Sequence, residues 1–334
     1  MRLELNVPGL LAAPERLLAQ LVLPDCAALR RWCVRAIARN TLPGRYGCIA
    51  ELLRMPTAPL AALAWLGATD AGAEENVLLA TPVHLRAGMH DLVLFAGPTL
   101  RINDDERLTL ARDLAASFGA TPRLSLAANQ WFLHTPEPLA VSTTPLYRAQ
   151  GETVRGNLPE GPDAARLHAW MNEWQMFLHS HAVNRERAAR SEPTLNGFWI
   201  WGEGALPARD RERKVAVFAE SLPMRGLGRW LGDAREHRAL DNMLPVSGCH
   251  VIELTACVDA LDADDAEGWQ AAVQRVSQDY LQPVLDWLAG NPSAEAVLHA
   301  GDGKARLLRG GGGVLRRMQR VFGGREEPVV SEEQ

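Results

Sequence analysis

Leu3, Leu5 and Val7 alternate with Arg2, Glu4 and Asn6, the two-residue period of a strand, and Pro8-Gly9 stops the run. From Pro24 to Asn40 the apolar positions Leu29, Cys33, Ala36 and Ile37 recur at helical spacing, which predicts a helix. A further helix is predicted over 57–66, entered by Met55-Pro56-Thr57, with Thr57 as its N-cap. Between about 76 and 134 the pattern changes to short apolar runs, at 77–79, 92–95, 123–126 and 131–133, around one clear helix. That helix starts after Asn103, where Asp104, Asp105 and Glu106 suit the positive end of the helix dipole, and its stripe is Leu108, Leu110, Ala111, Leu114 and Phe118. Strands flanking a helix predict a small α+β subdomain here.

A Pro/Thr/Gly-rich stretch from Thr135 to Pro162 reads as a linker. A long helix is predicted over 163–190, with Leu167, Trp170, Met171, Trp174, Phe177 and Leu178 on its apolar face. Beyond it lie an apolar run at 195–201, strands at 214–219 and 249–254, a helix at 267–288, and a strand pair at 296–299 and 304–308. Strands alternating with helices predict a largely parallel, doubly wound sheet. A short basic helix over 314–322, carrying Arg316, Arg317 and Arg320, is read as a terminal helix packed on the core. The polar, acidic segment 323–334 is expected to be disordered.

The chain has 334 residues, a length that suits about two domains, and 47% hydrophobic residues supply a large core. A net charge of −5 gives no reason to expect nucleic acid as a partner. No window approaches a membrane span, and the first residues lack the apolar core of a secretory leader. Five cysteines, none in Cys-x-x-Cys spacing, read as free thiols of a reducing compartment, so the chain is expected to be cytoplasmic. Ten Trp against three Tyr point to packing, or to a surface that docks a protein partner. His84 reads as a structural hydrogen-bonder, and His179 and His181, two apart, cannot chelate one ion together on a helix.

Ala80-Thr81-Pro82-Val83-His84-Leu85-Arg86 followed by Asp91-Leu92-Val93-Leu94 resembles the opening of the inserted domain of archaeal-type cofactor-independent phosphoglycerate mutases. Asn172-Glu173-Trp174-Gln175-Met176, Ala182-Val183-Asn184-Arg185-Glu186-Arg187, Asn196–Gly204 and Met224-Arg225-Gly226-Leu227-Gly228 continue the resemblance in order. Together these segments resemble the bacterial RpfE-type regulatory proteins. The resemblance implies an α/β, alkaline-phosphatase-like doubly wound core of residues 1–79 and 151–322, with 80–150 as the inserted α+β subdomain and linker.

The mutases of that superfamily move a phosphoryl group through a Ser held by two divalent metals, which stabilise attacking and leaving oxygens together. Where their first strand ends in a metal-binding Asp-Gly, this chain has Pro8-Gly9. Thr57-Ala58 stands at the nucleophile, which makes Thr57 the candidate catalytic residue, although Thr at a helix start is also a plain N-cap. Asp259 remains from an Asp-x-x-x-His motif whose His is Ala263, with Asp262, Asp264 and Asp265 beside it as possible hard-cation ligands or helix caps. An Asp-His pair has become Asp302-Gly303, which reads as a hairpin turn. Asp259 and Asp302 are thus the only metal-ligand candidates carried over, so a degenerate site, no cofactor and no mutase activity are expected.

The resemblance implies ligand-binding roles for Arg86, Asn184, Arg187, Asn196, Gly202, Gly204 and Arg225, with the glycines allowing close backbone approach to a small anionic or phosphorylated ligand. The expected function is therefore a non-catalytic, regulatory or binding protein on a mutase-like scaffold. The alternative is an active metal-dependent mutase or phosphatase using manganese or zinc. A protein that docks a partner through its tryptophans is a third reading.

Overall fold

Alternation in the first strand predicts one face toward a core and one toward water, but the strand lies at the centre of a sheet covered on both faces. In the computed structural model, the described residues are 1–11, 26–72, 76–88, 91–118, 122–210, 212 and 214–311. The strands are β1 (Arg2–Asn6), β2 (Ile37–Asn40), β3 (Val77–Ala87), β4 (Leu92–Phe95), β5 (Arg123–Ala127), β6 (Gln130–His134), β7 (Gly197–Trp201), β8 (Val215–Phe218), β9 (Ala234–Arg235), β10 (Cys249–Glu253), β11 (Glu295–His299) and β12 (Lys304–Arg309). The larger sheet has the order β2-β12-β11-β1-β10-β8-β9. Its central strands are parallel, and β12 and β2 close one edge antiparallel, so the largely parallel sheet read from the sequence is present. The smaller sheet joins β4-β3-β6-β5, with β7 also paired to β3.

The helices between them are α1 (Ala27–Arg35), α2 (Gly47–Leu53), α3 (Leu60–Ala68), α4 (Asp104–Phe118), α5 (Leu146–Ala149), α6 (Ala164–His179), α7 (Ala182–Ala189), α8 (Leu222–Leu231), α9 (Ala256–Asp262), α10 (Ala266–Arg275) and α11 (Gln282–Gly290). One face of the large sheet packs Leu3, Leu5, Ile252 and Leu298 against α1, α10 and α11. The other face packs Val215, Val217 and Val251 against α2, α3 and α8, whose far side meets Val77, Leu79, Phe132 and Trp199 of the small sheet. The outer face of the small sheet, with Leu78, Trp131, Phe198 and Ile200, is covered by α4 and α6. This sandwiching explains why β7, Gly-Phe-Trp-Ile-Trp, is buried at every position: each face has its own core. Where α3 crosses α8, Gly67 and Gly226 let the backbones touch, and a Cβ built on Gly226 lies 1.8 Å from the Leu63 carbonyl oxygen.

Several elements differ from the sequence reading, each for a local reason. The helix expected over Pro24–Asn40 covers Ala27–Arg35, and its last residues become β2, because the β12 edge offers Ile37–Asn40 a ladder. Residues before Ala27 in that expectation partly lie outside the described set. The helix expected at Thr57 begins at Leu60, since Pro59 disfavours helical geometry at Ala58; Thr57 is in a bend and caps nothing. The single helix expected over 163–190 is α6 and α7, broken at Ser180-His181, where His181 Nδ1 accepts the Val183 N–H at 3.2 Å. The helix over 267–288 is continuous but widens to π geometry at Val276–Leu281, just ahead of Pro283, whose ring and missing N–H disrupt an α turn. Asn103 and Glu106 form a reciprocal capping box on α4, at 2.9 and 3.1 Å.

None of the five cysteines forms a disulfide; Cys26, Cys48 and Cys257 are buried, whereas Cys33 is exposed. Trp32, Trp131, Trp174 and Trp199 are core residues, and Trp170, Trp230 and Trp287 are half-buried. Among the described residues no helix is long and apolar enough to cross a membrane. The expected helix over 314–322 and the tail 323–334 lie outside the described residues.

Candidate functional site

A parallel sheet leaves a crevice at the carboxyl ends of its strands, where loops rather than helices meet. Here β1 leads into Val7-Pro8-Gly9, β11 into Ala300-Gly301, and β10 into α9. A cavity of about 250 Å³ lies at these ends, lined by Pro8, Gly9, Arg45, Tyr147, Asp262 and Gly301. A neighbouring cavity of about 270 Å³ is lined by Tyr46, Thr57, Tyr147, Arg148, Gly202 and Glu203. Tyr147, carried by α5, forms a wall of both.

The chemistry of this cleft is set by paired charges. The Arg45 guanidinium is bound to the Asp262 carboxylate by a hydrogen-bonded ion pair. Burial opposes the charge on Arg45, but Tyr46 and Asp262 outweigh it and raise its pKa above the ordinary value. Burial pushes the Tyr46 phenol up to about 12. Glu203 accepts hydrogen bonds from the Thr143 amide at 2.9 Å and from the Thr143 hydroxyl.

Below the cleft, four polar side chains lie inside the sheet: Glu4, Asn6, Glu253 and His299, all buried. Register explains their meeting, because Asn6 sits opposite Glu253 on one side and His299 on the other. His299 Nε2 is 2.8 Å from Glu4, which also accepts from Arg2 Nε at 2.7 Å. Burial alone would raise the Glu4 pKa; His299 and Arg2 reverse this and hold it below the ordinary value. Burial wins at Glu253, whose pKa is raised although Ser221 donates both its hydroxyl, at 2.7 Å, and its amide, at 3.0 Å. His299 Nδ1, Arg45 Nε and the Thr41 hydroxyl are buried without a hydrogen-bond partner.

Of the residues singled out from the sequence, the structure brings Thr57 and Gly202 into one cavity, with Gly204 one residue past Glu203. Gly202, at φ +85°, donates its N–H to the Thr143 hydroxyl at 3.2 Å and accepts the Ala61 N–H at 2.8 Å. The others lie elsewhere. Arg187 is fully buried, bonded to Glu106 at 2.7 Å, to the Pro193 carbonyl at 2.8 Å and to the Leu100 carbonyl. Asn184 bridges the Leu178 and Leu195 carbonyls and the Leu195 amide, each at 2.7 Å. Asn196 holds the Leu85 amide and carbonyl of β3 at 2.6 and 2.8 Å. Arg86 stacks on Phe95 at 4.5 Å, and Arg225 is an exposed residue of α8. Asp259 is exposed on α9, and Asp302 is clamped by Arg306 at 2.9 and 2.5 Å in the expected hairpin turn. Asp265 caps α10 through the Gly268 amide at 2.8 Å. Among the described residues no three His, Cys, Asp or Glu side chains are grouped so as to hold a metal ion.

The sequence reading missed Arg45, Tyr147, Asp262 as an ion-pair partner, and the buried Glu4, Glu253 and His299. A signal existed for Glu4 and Asn6: a doubly wound sheet covers both faces of its central strands, so polar residues alternating there are buried. Nothing local marks Arg45 or Tyr147.

A scan against protein-family models finds no match for the chain. It is 31% identical over 90 residues, 25% of this chain and 23% of the relative, to the 2,3-bisphosphoglycerate-independent phosphoglycerate mutase of Methanothrix thermoacetophila. It is 29% identical over 86 residues, 26% of this chain and 20% of the relative, to a probable enzyme of the same name from Geobacter sulfurreducens. The matched stretches thus span under a quarter of the length of these two relatives. Among solved structures, the PH0037 protein of Pyrococcus horikoshii matches with a TM-score of 0.54 at 13% identity, over 98% of this chain and 99% of that one. The cofactor-independent phosphoglycerate mutase of Thermoplasma acidophilum matches over 93% of this chain and 90% of that one, at 16% identity and a TM-score of 0.42.

Proposed function

We propose that this chain is a phosphoglycerate mutase-like protein that does not catalyse phosphoryl transfer and instead binds a small anionic or phosphorylated ligand in the strand-end cleft. The observation that carries the reading is the Arg45–Asp262 pair. The cleft's carboxylate is neutralised by a guanidinium of the same chain, and Pro8-Gly9 and Gly301 supply no further side-chain donor. Such a donor set does not suit two divalent cations, which need several carboxylates or imidazoles. The neighbouring cavity, which shares the Tyr147 wall, offers Arg148 and the phenols of Tyr46 and Tyr147 to an oxyanion, and its one carboxylate, Glu203, is already occupied by the Thr143 amide and hydroxyl.

The reading extends to an RpfE-type regulatory role in a bacterial cytoplasm, on an alkaline-phosphatase-like core of 1–79 and 151–322 with 80–150 inserted. In that division β7 joins β3 in one ladder across the boundary. One observation favours active phosphoryl transfer by a manganese or zinc enzyme: Thr57 faces the same cavity as Glu203 and Gly202.

Purified protein assayed with 3-phosphoglycerate and manganese is expected to form no 2-phosphoglycerate. Turnover abolished by chelation and restored by manganese would falsify the non-catalytic reading. Thermal melts with millimolar 3-phosphoglycerate are expected to show a rise in Tm that Arg148→Ala removes. No rise with the wild-type chain sinks the ligand site.

A further inference from the structure

A positively charged concavity lies at the opposite end of the large sheet from the cleft, where β8 and β10 begin. It is a cavity of about 680 Å³, within the range of small-molecule sites. Its walls carry Arg209, Lys214, Asp233, Arg235, Ser247 and His250. Asp233 is the single acid among the described lining residues, and Arg235 holds it bidentately at 2.8 and 2.7 Å. That pair cancels, which leaves the charges of Arg209 and Lys214 facing the cavity.

The site is braced. Arg235 lies over the Phe218 ring at 5.6 Å, Phe218 packs against His250 at 5.5 Å, and His250 Nδ1 is 2.7 Å from the Met243 carbonyl. Val215, Ala216 and Leu231 give an apolar floor. Because the whole chain carries −5, this positive concentration is local rather than a consequence of composition.

We infer that this cavity binds a phosphorylated small molecule with at least two negative charges, held by Arg209 and Lys214 with the Ser247 hydroxyl. A guanidinium and an ammonium flanking a hydroxyl match the oxygens of a phosphate ester or diphosphate. The volume exceeds what one inorganic phosphate fills, so the occupant carries an organic part or a second phosphate. The assignment is independent of the strand-end cleft, which lies at the other ends of the strands.

Isothermal titration with pyrophosphate tests it, with citrate as the carboxylate arm. Saturable pyrophosphate binding is expected, weakened about tenfold by Lys214→Ala and by Arg209→Ala and kept by Lys214→Arg. In an Arg148→Ala background, which disables the strand-end cleft, saturable pyrophosphate binding that Lys214→Ala weakens is expected to remain. Both truncated side chains are exposed, so circular-dichroism melts of the variants are expected to overlay the wild type. Absence of saturation at millimolar pyrophosphate, indifference to both truncations, loss in Arg148→Ala, or citrate binding as tight as pyrophosphate each overturns the assignment.

Discussion

Two buried polar networks differ in what they leave over. Around α7, Arg187, Glu106, Asn184 and Asn196 join separate chain segments through hydrogen bonds that involve every polar atom of the Arg187 and Asn184 side chains. At the strand ends of the large sheet, Glu4 and Glu253 are also partnered, yet His299 Nδ1, Arg45 Nε and the Thr41 hydroxyl remain without partners. Burying a polar group unpaired costs about 1–3 kcal/mol. A satisfied network is a structural clamp, whereas unsatisfied atoms beside a cavity mark where a ligand gains most by binding. Arg187, Asn184 and Asn196 are thus held by the protein's own groups, whereas the proposed ligand chemistry draws on Arg148, Tyr46 and Tyr147, which the sequence reading did not name.

The sharpest way to break this contrast is Arg187→Ala. It leaves Glu106, 6% exposed, with Arg190 and the Asn103 amide as its remaining partners, and takes the Arg187 donors from the Pro193 and Leu100 carbonyls. Removing one member of a buried pair costs about 3–5 kcal/mol. Urea denaturation is expected to show a lower midpoint with an unchanged slope, and no change in 3-phosphoglycerate affinity among molecules still folded. A variant as stable as wild type that has lost ligand binding would put Arg187 in the site and reverse the comparison.

Glu4→Gln probes the strand-end network. Its carboxyl is held below the ordinary 4.5, so its stabilisation is present above that value and is lost as pH falls through the lowered one. The substitution is expected to cost about 2 kcal/mol at neutral pH and less near pH 3, read from melts at both. Glu253 has the opposite sign. Its pKa is raised, so its contribution is present below the ordinary carboxylate value and is lost as pH rises through the raised one. Equal Glu4→Gln penalties at both pH values would show that the Glu4 charge contributes nothing to stability.

How much of this was legible follows from which signals are local. The capping box at Asn103, the hairpin at Asp302-Gly303 and the strand character of β7 are written in adjacent residues, and they are present. The break between α6 and α7 is marked locally only by His181, whose ring accepts the Val183 amide, and Asn184 then ties α7 to the Leu195 backbone eleven residues on. The cleft was half legible: Thr57 and Gly202 were named, but Arg45 meets Asp262 across a sequence separation of 217, which no spacing rule detects. The polar positions of β1 are buried for a topological reason, since the residues that cover that face, in α2 and α3, come from elsewhere in the chain.

The smallest expected effect is the most informative about the cleft itself. Thr57 is exposed, lies three residues ahead of α3 and caps no helix, so Thr57→Ala is expected to change stability by no more than about 0.5 kcal/mol. A Thr that served as N-cap would instead cost about 1 kcal/mol, which denaturant titration resolves. Thr57 therefore contributes little to the fold, and any role it has concerns what enters the cavity it lines with Tyr46 and Arg148. Without a turnover step, Thr57→Ala changes 3-phosphoglycerate affinity by a hydrogen bond's worth, several-fold, and Thr57→Ser restores it. Loss of a measured catalytic rate in Thr57→Ala, recovered in Thr57→Ser, would instead make that hydroxyl a nucleophile and place the cleft on the enzymatic side of the comparison.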